Sequence, residues 1–559
     1  MRNVPQAIAG LLKLYWLELL VFGGIAAVLL ICQSPDATWM NTDSDGMHYV
    51  YSAKYLYPAH KGSAPLYLLL SNLFLRLPFG TEFWRMALIS VLSGIAGSVL
   101  IYLIIKQKLP GKPKYYGLIG ALVYGGSALA ISQNTIVESY PLVTAVCLAI
   151  YLMCLKQKWL TASILIGVAG AIHPTSILIT IPLLIAYKPL RNWKRLAVAA
   201  SFIVFYLYIP LTNRPPYMWN MPNSEGGALG FIGDTVSTAL MLTGGIAIPD
   251  LPKRILDAGG LILLNFAIIG VYPLIKAFDK KWYKDILFWV MAIPTIYYIT
   301  DLSPQVYVYV QPTIAFGVIA IGVGLTKVNR KILYSTGIAA ILLLSINANY
   351  FDIGRTLDPE LSATKYYNEE LTKVPDGDIL MPEYGWQWAA IYLYNKNENR
   401  NIIPVCIDTL VSPDYQKMLN EWDVRYEDDN NEDRLSRQNY IALSIVRLNG
   451  DVWTTRTTDD RTYGCEVINL LANIQSPEKE GYVAKYSTEP PGQLHWKPSN
   501  PYDTITGAVE VSEWKFITLS SHNAFYLLSL IIYGFGLGMI IVKFVNYRKR
   551  KRGSKVITQ

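Results

Sequence analysis

KQKWLTASILIGVAGAIHPTSILITIPLLIAYKPLRNWKR, residues 156–195, decides the fold. Lys156 and Lys158 open it, and Lys188, Arg191, Lys194 and Arg195 close it. Between them run two apolar stretches, Leu160–Ile172 and Pro174–Tyr187, interrupted around Gly170, His173 and Pro174. Lys and Arg collect on the cytoplasmic side of membrane spans. Both ends therefore belong to one side, and the chain between them must go out and return. Each leg is short against the roughly 20 residues of a full crossing. The reading is a short helical pair with its tip near His173. A single tilted helix is the alternative, and it would break the charge pattern.

Working outward, the same rule orders the rest of the chain. Apolar spans are expected near 11–31, 86–105, 115–131, 141–155, 196–211, 260–275, 286–299, 306–325, 332–346 and 524–545, besides the short pair. Basic clusters at 106–114, 156–158, 188–195, 276–284, 327–331 and 548–555 all reach one side with a cytoplasmic N-terminus and about twelve passes. Of the 559 residues, 52% are hydrophobic and 16% charged, against about 25% charged in soluble domains. The net charge of +8 lies in these clusters, so it speaks for topology and against nucleic acid as a partner. The first apolar run is too long for a cleaved signal and reads as a retained span.

The expected class is mainly α: a polytopic helical membrane protein with an α/β outer soluble domain before the last helix. Residues 1–349 form the membrane domain and 350–521 the soluble region, with strand-like runs such as IALSIVRL and GDILMPEY. Residues 522–559 form a last span and a basic cytoplasmic tail. Of the five cysteines, Cys32, Cys147 and Cys154 read as small core hydrophobes. Cys406 and Cys465 lie in the outer region, where a disulfide is permitted. No CxxC or Cys/His metal spacing occurs.

Four outer segments carry the polar residues: 32–85, 132–140, 212–259 and 352 to about 521. The first contains NTDSDGMHYVYSAKYLYPAH, residues 41–60. Asp43 and Asp45 stand just past the first span, where Ser44 or Asp45 could cap a short helix lined with tyrosines. That is an interfacial helix, or an acid placed to act on a lipid-linked substrate. His60 and Lys61 add cationic groups, and Ala64–Leu77 is apolar but too short to cross. Arg85 opens the second full span; it either snorkels or grips phosphate, for which its planar fork is suited. Glu138, in SQNTIVESYPL, sits at the lip of two spans, where a carboxylate without a partner is costly. His173 is a cap or a site residue. Arg214, Trp219 and Asn220 follow another span end, and Asp301 stands between two more. All are expected on one face, while mid-span positions look mostly bare. A secondary transporter would place ionisable groups near mid-bilayer.

These residues, in this order, resemble the GT-C class of integral membrane glycosyltransferases, most closely its protein O-mannosyltransferase-like subgroup. The resemblance runs over roughly Met1 to Asn349. The subgroup's acidic first loop is matched at Asp45, and its polar–proline stretch by PAHKGSAPLYLLLSNLF. Its FWR opening is matched at Phe83, Trp84 and Arg85, its acid–x–Tyr at Glu138 and Tyr140, and its Gly/His pair by GAIHPTS. YLYIPLTNRPPYMWN and the run from Asp301 to Pro312 match its later motifs. Where the subgroup carries a second acid after a glycine, this chain has Met47 and His48. Asp43 and Asp45 thus stay alternatives, and a divalent metal stays open.

The resemblance implies inverting transfer of one mannose-like sugar from a polyprenyl- or dolichyl-phosphate carrier to a hydroxyl of a protein, glycan or lipid, on the extracytoplasmic face (the ER lumen in a eukaryote). It gives Asp45 or Asp43 the role of general base. Arg85, His60, His173 and Arg214 would face the carrier phosphate; Glu138, Tyr140, Trp219, Asn220 and Asp301 would face sugar or acceptor. The rival class is a polyprenyl-linked glycan or lipid transporter.

Overall fold

The computed structural model describes residues 3–35, 44–56, 64–207, 265–266, 270–278, 282–300, 310–352, 369, 371–377, 379–381, 385–404, 452–455, 478–480 and 483–486. The fold is mainly α. In chain order the helices are α1 (Asn3–Ile31), α2 (Ser44–Tyr55), α3 (Pro65–Leu75), α4 (Glu82–Lys108), α5 (Tyr115–Gly126), α6 (Ala128–Asn134), α7 (Tyr140–Leu155), α8 (Trp159–Ile172), α9 (Ile177–Ala186), α10 (Trp193–Ala200), α11 (Ile286–Thr300), α12 (Gln311–Gly324), α13 (Arg330–Asp352) and α14 (Gly385–Glu398).

Local chemistry sets the ends of α4. The Thr81 side chain accepts the Trp84 N–H at 3.0 Å, and Glu82 stands in the first turn with Lys106 and Lys108 in the last. Acid at the N-terminus and base at the C-terminus both complement the helix dipole. Among the described residues, α4 alone is long and apolar enough to cross a membrane by itself. It packs against α7, α5 and α1 at the centre of the bundle.

The expected straight span at 115–131 is instead a broken one. α5 and α6 meet at 65° across Ser127. Gly125 and Gly126 weaken the helix there, and the Ser127 hydroxyl caps α6 by accepting the Ala130 N–H at 3.3 Å. A break inside hydrocarbon leaves backbone groups that need partners. Two side-chain amides supply them: Asn347 Nδ2 donates to Gly126 O at 2.8 Å, and Asn265 Oδ1 accepts the Leu129 N–H at 2.8 Å. The break is thus built from distant parts of the chain.

The short pair breaks where the charge pattern placed it. α8 ends at Ile172, His173 is extended, Pro174–Ser176 make one 3₁₀ turn, and α9 follows. α8 leans on α7 and α10, whereas α9 packs on α11. After α10 the chain continues as 3₁₀ helix over Ser201–Leu207. The spans expected at 196–211, 260–275 and 306–325 are described only in part, and that at 524–545 lies outside the described residues.

The spans are less bare than expected. Glu18, within α1, is buried and takes Lys114 Nζ at 2.6 Å and the Tyr102 hydroxyl at 3.0 Å. A lone acid in an apolar run gives no sign of its partner when that partner is about a hundred residues away. Removing one charge of a buried pair strands the other. Lys114 is 36% exposed, so screening reduces the effect. Lys114→Met should cost about 1–3 kcal/mol of stability. Glu18→Gln in the same background should restore part of it, measured by thermal denaturation in detergent.

Beyond α13, the described residues form α14 and five strands: β1 (Ile379–Met381), β2 (Ile403–Pro404), β3 (Val452–Thr455), β4 (Glu478–Glu480) and β5 (Val483–Tyr486). They pair in the order β2-β1-β3-β5-β4, parallel from β2 to β3 and antiparallel thereafter. β1 lies in the GDILMPEY run; IALSIVRL, Cys406 and Cys465 lie outside the described residues. Arg400 bonds the Asp376 carboxylate at 2.6 Å and, with the Asn401 N–H, holds that carboxyl below the usual range. Cys32, Cys147 and Cys154 are buried.

Candidate active site

Glu138, Tyr140 and His173 come together. The loop between α6 and α7 is pinned from behind by Ser90 of α4, whose hydroxyl donates to Glu138 O at 2.9 Å. The Glu138 side chain then turns to the start of α7, where Oε1 accepts the Ser139 N–H at 2.7 Å. A carboxylate at a helix N-terminus is favoured by the dipole. Two residues on, the Tyr140 ring meets the His173 ring with centroids 4.8 Å apart. Glu138 is 5% exposed and His173 6%. Two motifs about 35 residues apart thus share one corner.

His173 is both cap and candidate ligand. Its Nδ1 accepts the Thr175 N–H at 3.3 Å and lies 2.8 Å from the Thr175 hydroxyl. An imidazole that accepts through Nδ1 carries its proton on Nε2 when neutral. The ring therefore caps the turn with one edge and presents a donor edge on the other side.

Arg85 has a structural duty the sequence does not reveal. Its Nη1 donates to Leu75 O and Leu77 O, each at 2.7 Å, and its Nε to Thr81 O at 3.2 Å. Three of the five guanidinium N–H groups thus hold the end of α3 against α4, and the Nη2 pair makes no bond among the described residues. The carbonyls at a helix C-terminus are natural partners for a cation.

Asp45 is the second residue of α2, and its side chain is outside the described set, as is all of Asp43. One turn along, Tyr49 is fully buried and its hydroxyl lies 3.5 Å from Ser139 Oγ. The N-terminal half of α2 is thereby set beside the Glu138 loop. From the other side, α14 packs on α2: Tyr51 and Tyr392 rings lie 5.7 Å apart, and Lys54 bonds both Glu82 at 2.8 Å and Asn397 at 3.2 Å. Tyr49, Ser139 and Thr175 escape sequence reading because each acts through a partner far away or through backbone. His60, Arg214, Trp219, Asn220 and Asp301 lie outside the described residues. Among the described residues, no three His, Cys, Asp or Glu side chains come together as metal ligands.

An apolar groove of about 340 Å³ runs between α8 and the α10–3₁₀ segment, lined by Gly167, Gly170, Pro174, Ile177, Phe202 and Ile203 among others. It reaches Pro174, the neighbour of His173. Tyr206, also in its wall, donates its hydroxyl to Gly170 O at 2.8 Å. Among the described residues, no packing neighbour lies within 4 Å of where a Cβ would stand at Gly170.

Residues 62–217, which hold α3 to α10 and hence Arg85, Glu138, Tyr140 and His173, match the sequence profile of dolichyl-phosphate-mannose-protein mannosyltransferases. No curated protein matches the chain. Among solved structures, the chain is similar to ArnT from Cupriavidus metallidurans bound to undecaprenyl phosphate. That match has 11% identity and a TM-score of 0.49, covering 86% of this chain and 99% of ArnT. It is also similar to the oligosaccharyltransferase of Archaeoglobus fulgidus, at 12% identity and a TM-score of 0.46, over 82% of this chain and 71% of the other. The segment that builds this corner therefore carries the sequence pattern of the dolichyl-phosphate-mannose-protein mannosyltransferase family, a family of glycosyltransferases.

Proposed function

We propose that this protein is a membrane glycosyltransferase that moves one mannose-like sugar from a polyprenyl-phosphate carrier to an acceptor hydroxyl at the outer face of the bilayer. The observation that carries the reading is the meeting of the Glu138–Tyr140 loop with His173, whose neighbour Pro174 lines an apolar groove. An isoprenoid tail suits the groove, and a phosphate at its end would meet the Nε2 edge of His173. The family match over these same residues supports the choice of donor.

The chemistry needs little more. A sugar phosphate already carries a good leaving group, unlike a glycoside, whose oxygen must be protonated. One carboxylate, Asp45 or Asp43, takes the proton of the acceptor hydroxyl. The oxygen attacks the anomeric carbon from the face opposite the phosphate, a C–O bond forms, and the bond to phosphate breaks with inversion. Polyprenyl phosphate leaves with the electron pair, stabilised by His173 and the cationic side chains of the outer loops, His60, Arg85 and Arg214. Glu138 with Tyr140, Trp219, Asn220 and Asp301 holds the sugar and acceptor. α14, seated on α2, makes the outer region a cover that selects the acceptor. A divalent metal is not required by these steps.

The direct test supplies the purified full chain with a labelled polyprenyl-phosphate sugar and a hydroxyl acceptor. Release of polyprenyl phosphate with a new glycosidic bond is expected. Movement of the label across proteoliposomes with no new bond would establish a transporter instead. The groove has its own test. Gly170→Leu fills open space and should raise stability by about 0.8 kcal/mol through helix propensity. It should weaken binding of long-chain polyprenyl phosphate about tenfold and leave a carrier of one isoprene unit unaffected. Unchanged long-chain affinity would remove the groove from the proposal.

A further inference from the structure

Three exposed cations at the foot of the short pair take no part in the steps above. α9 ends at Ala186, Lys188–Arg191 make one 3₁₀ turn, and α10 begins at Trp193. Leu190 is fully buried and anchors this turn, which packs on α8, α9 and α10. Arg195 Nη1 donates to Pro189 O at 2.5 Å, and Asn192 Oδ1 accepts the Lys194 N–H at 3.1 Å. The backbone is thus held in place, and Lys188, Arg191 and Lys194 are left exposed on it. Residues three apart eclipse in a 3₁₀ turn, so Lys188 and Arg191 project from the same side.

These charges are not neutralised by the chain around them. Among the described residues, no carboxylate pairs with any of the three. Between Glu138 and Glu225 the sequence holds no Asp or Glu, so no acid comes from nearby in the chain. Asp285 lies close enough to Tyr187 to interact electrostatically, but its Oδ1 accepts the Leu287 N–H at 3.0 Å at the start of α11. Helix stability does not account for the cations either. Lys194 and Arg195 stand in the first turn of α10, at the positive end of its dipole, where a cation is disfavoured. An anion bound there relieves that repulsion.

The surface beside the cations is apolar. Trp193, Leu196, Ala197 and Ala200 share one face of α10, and all four are exposed. Trp193 is 70% exposed, and Lys194 Nζ stands 5.7 Å from its ring centroid. The same pairing recurs just before α11, where Lys284 stands over Tyr283 beside the exposed Trp282 and Trp289. Trp, Tyr and cations gathered at one level are the marks of a lipid–water boundary. A cation cluster that adjoins an uncovered apolar face complements an amphiphile with a negative head.

We infer that Lys188, Arg191 and Lys194, with the Trp193–Ala200 face of α10, form a docking surface for anionic phospholipids of the surrounding bilayer. The headgroup phosphate lies against the three cations, and the acyl chains run along Trp193 and Leu196. Binding here needs no turnover, so the assignment is independent of the glycosyl-transfer proposal.

The test uses the purified full chain in mixed micelles with dioleoyl phosphatidylglycerol and dioleoyl phosphatidylcholine, which share their chains and differ in headgroup charge. Lipid bound per protein is counted by native mass spectrometry. Phosphatidylglycerol should be retained about tenfold or more over phosphatidylcholine. Lys188→Gln, Arg191→Gln and Lys194→Gln should each lower that preference about fivefold, the effect of one cation near an anionic surface, and the triple variant should remove it. Lys106→Gln with Lys112→Gln and Lys331→Gln takes the same charge from other exposed positions and should leave the preference intact. Equal retention of the two lipids by the wild type overturns the assignment, and so does preference kept in the Lys188, Arg191 and Lys194 triple variant. An equal loss in both triple variants also overturns it, since net charge alone would give that. Glycerophosphoglycerol, the same headgroup without acyl chains, should not displace the lipid. Displacement at equal concentration would make this a site for a free phosphodiester and overturn the assignment to a lipid.

Discussion

Changing both Asp43 and Asp45 to Asn is expected to abolish transfer while leaving the protein folded and able to bind polyprenyl phosphate. Asn caps a helix as well as Asp does, so the start of α2 at Ser44 should survive the change. What disappears is the base. General-base catalysis supplies about 10²–10⁴-fold, and the acceptor hydroxyl is a poor nucleophile while it keeps its proton. Turnover of the labelled donor should drop by that factor or below detection, with unaltered carrier affinity. The two single variants then say which acid is the base: one should resemble wild type and the other the double. Near-wild-type turnover in the double variant would refute the mechanism.

His173 carries the second large effect, and its two edges allow it to be dissected. His173→Asn keeps a side chain that caps the Pro174–Ser176 turn but removes the ring that meets Tyr140 and offers Nε2. His173→Ala removes both functions and should lose about 1 kcal/mol of stability as well. If His173 serves the departing phosphate, both variants should lose about 10²-fold in kcat or more, the size seen when one donor to developing negative charge is removed. Thermal denaturation should separate them, with Asn close to wild type and Ala lower. If activity followed stability instead, with Asn active and Ala impaired, His173 would be only a cap.

Several parts of this corner were open to reading from the chain itself. Basic clusters on both sides of Leu160–Tyr187 favour a broken run over a single tilted helix, and the break falls at His173. Glu138 stands out because an acid is costly at that depth. The bond from Gln311 Nε2 to Asn134 Oδ1 at 3.0 Å does not stand out, since both residues are neutral and lie 177 residues apart. The bend at Ser127 was hidden for a related reason. Gly-Gly-Ser within an apolar run permits a break, but Asn265 and Asn347 make it affordable, and they come from elsewhere in the chain. Residue type alone leaves Arg85 between snorkelling and gripping phosphate; which carbonyls it faces depends on where α3 ends.

The sequence by itself determined that the chain is helical and membrane-embedded, and where its helices break in the short pair. Those properties follow from hydropathy and charge, which act on each residue according to its own chemistry. The tertiary structure decided which polar groups meet: His173 with Tyr140, Tyr49 with Ser139, Asn134 with Gln311, Glu18 with Lys114. A hydrogen bond or ring contact depends on position to within a fraction of an ångström, and packing of distant helices sets that position.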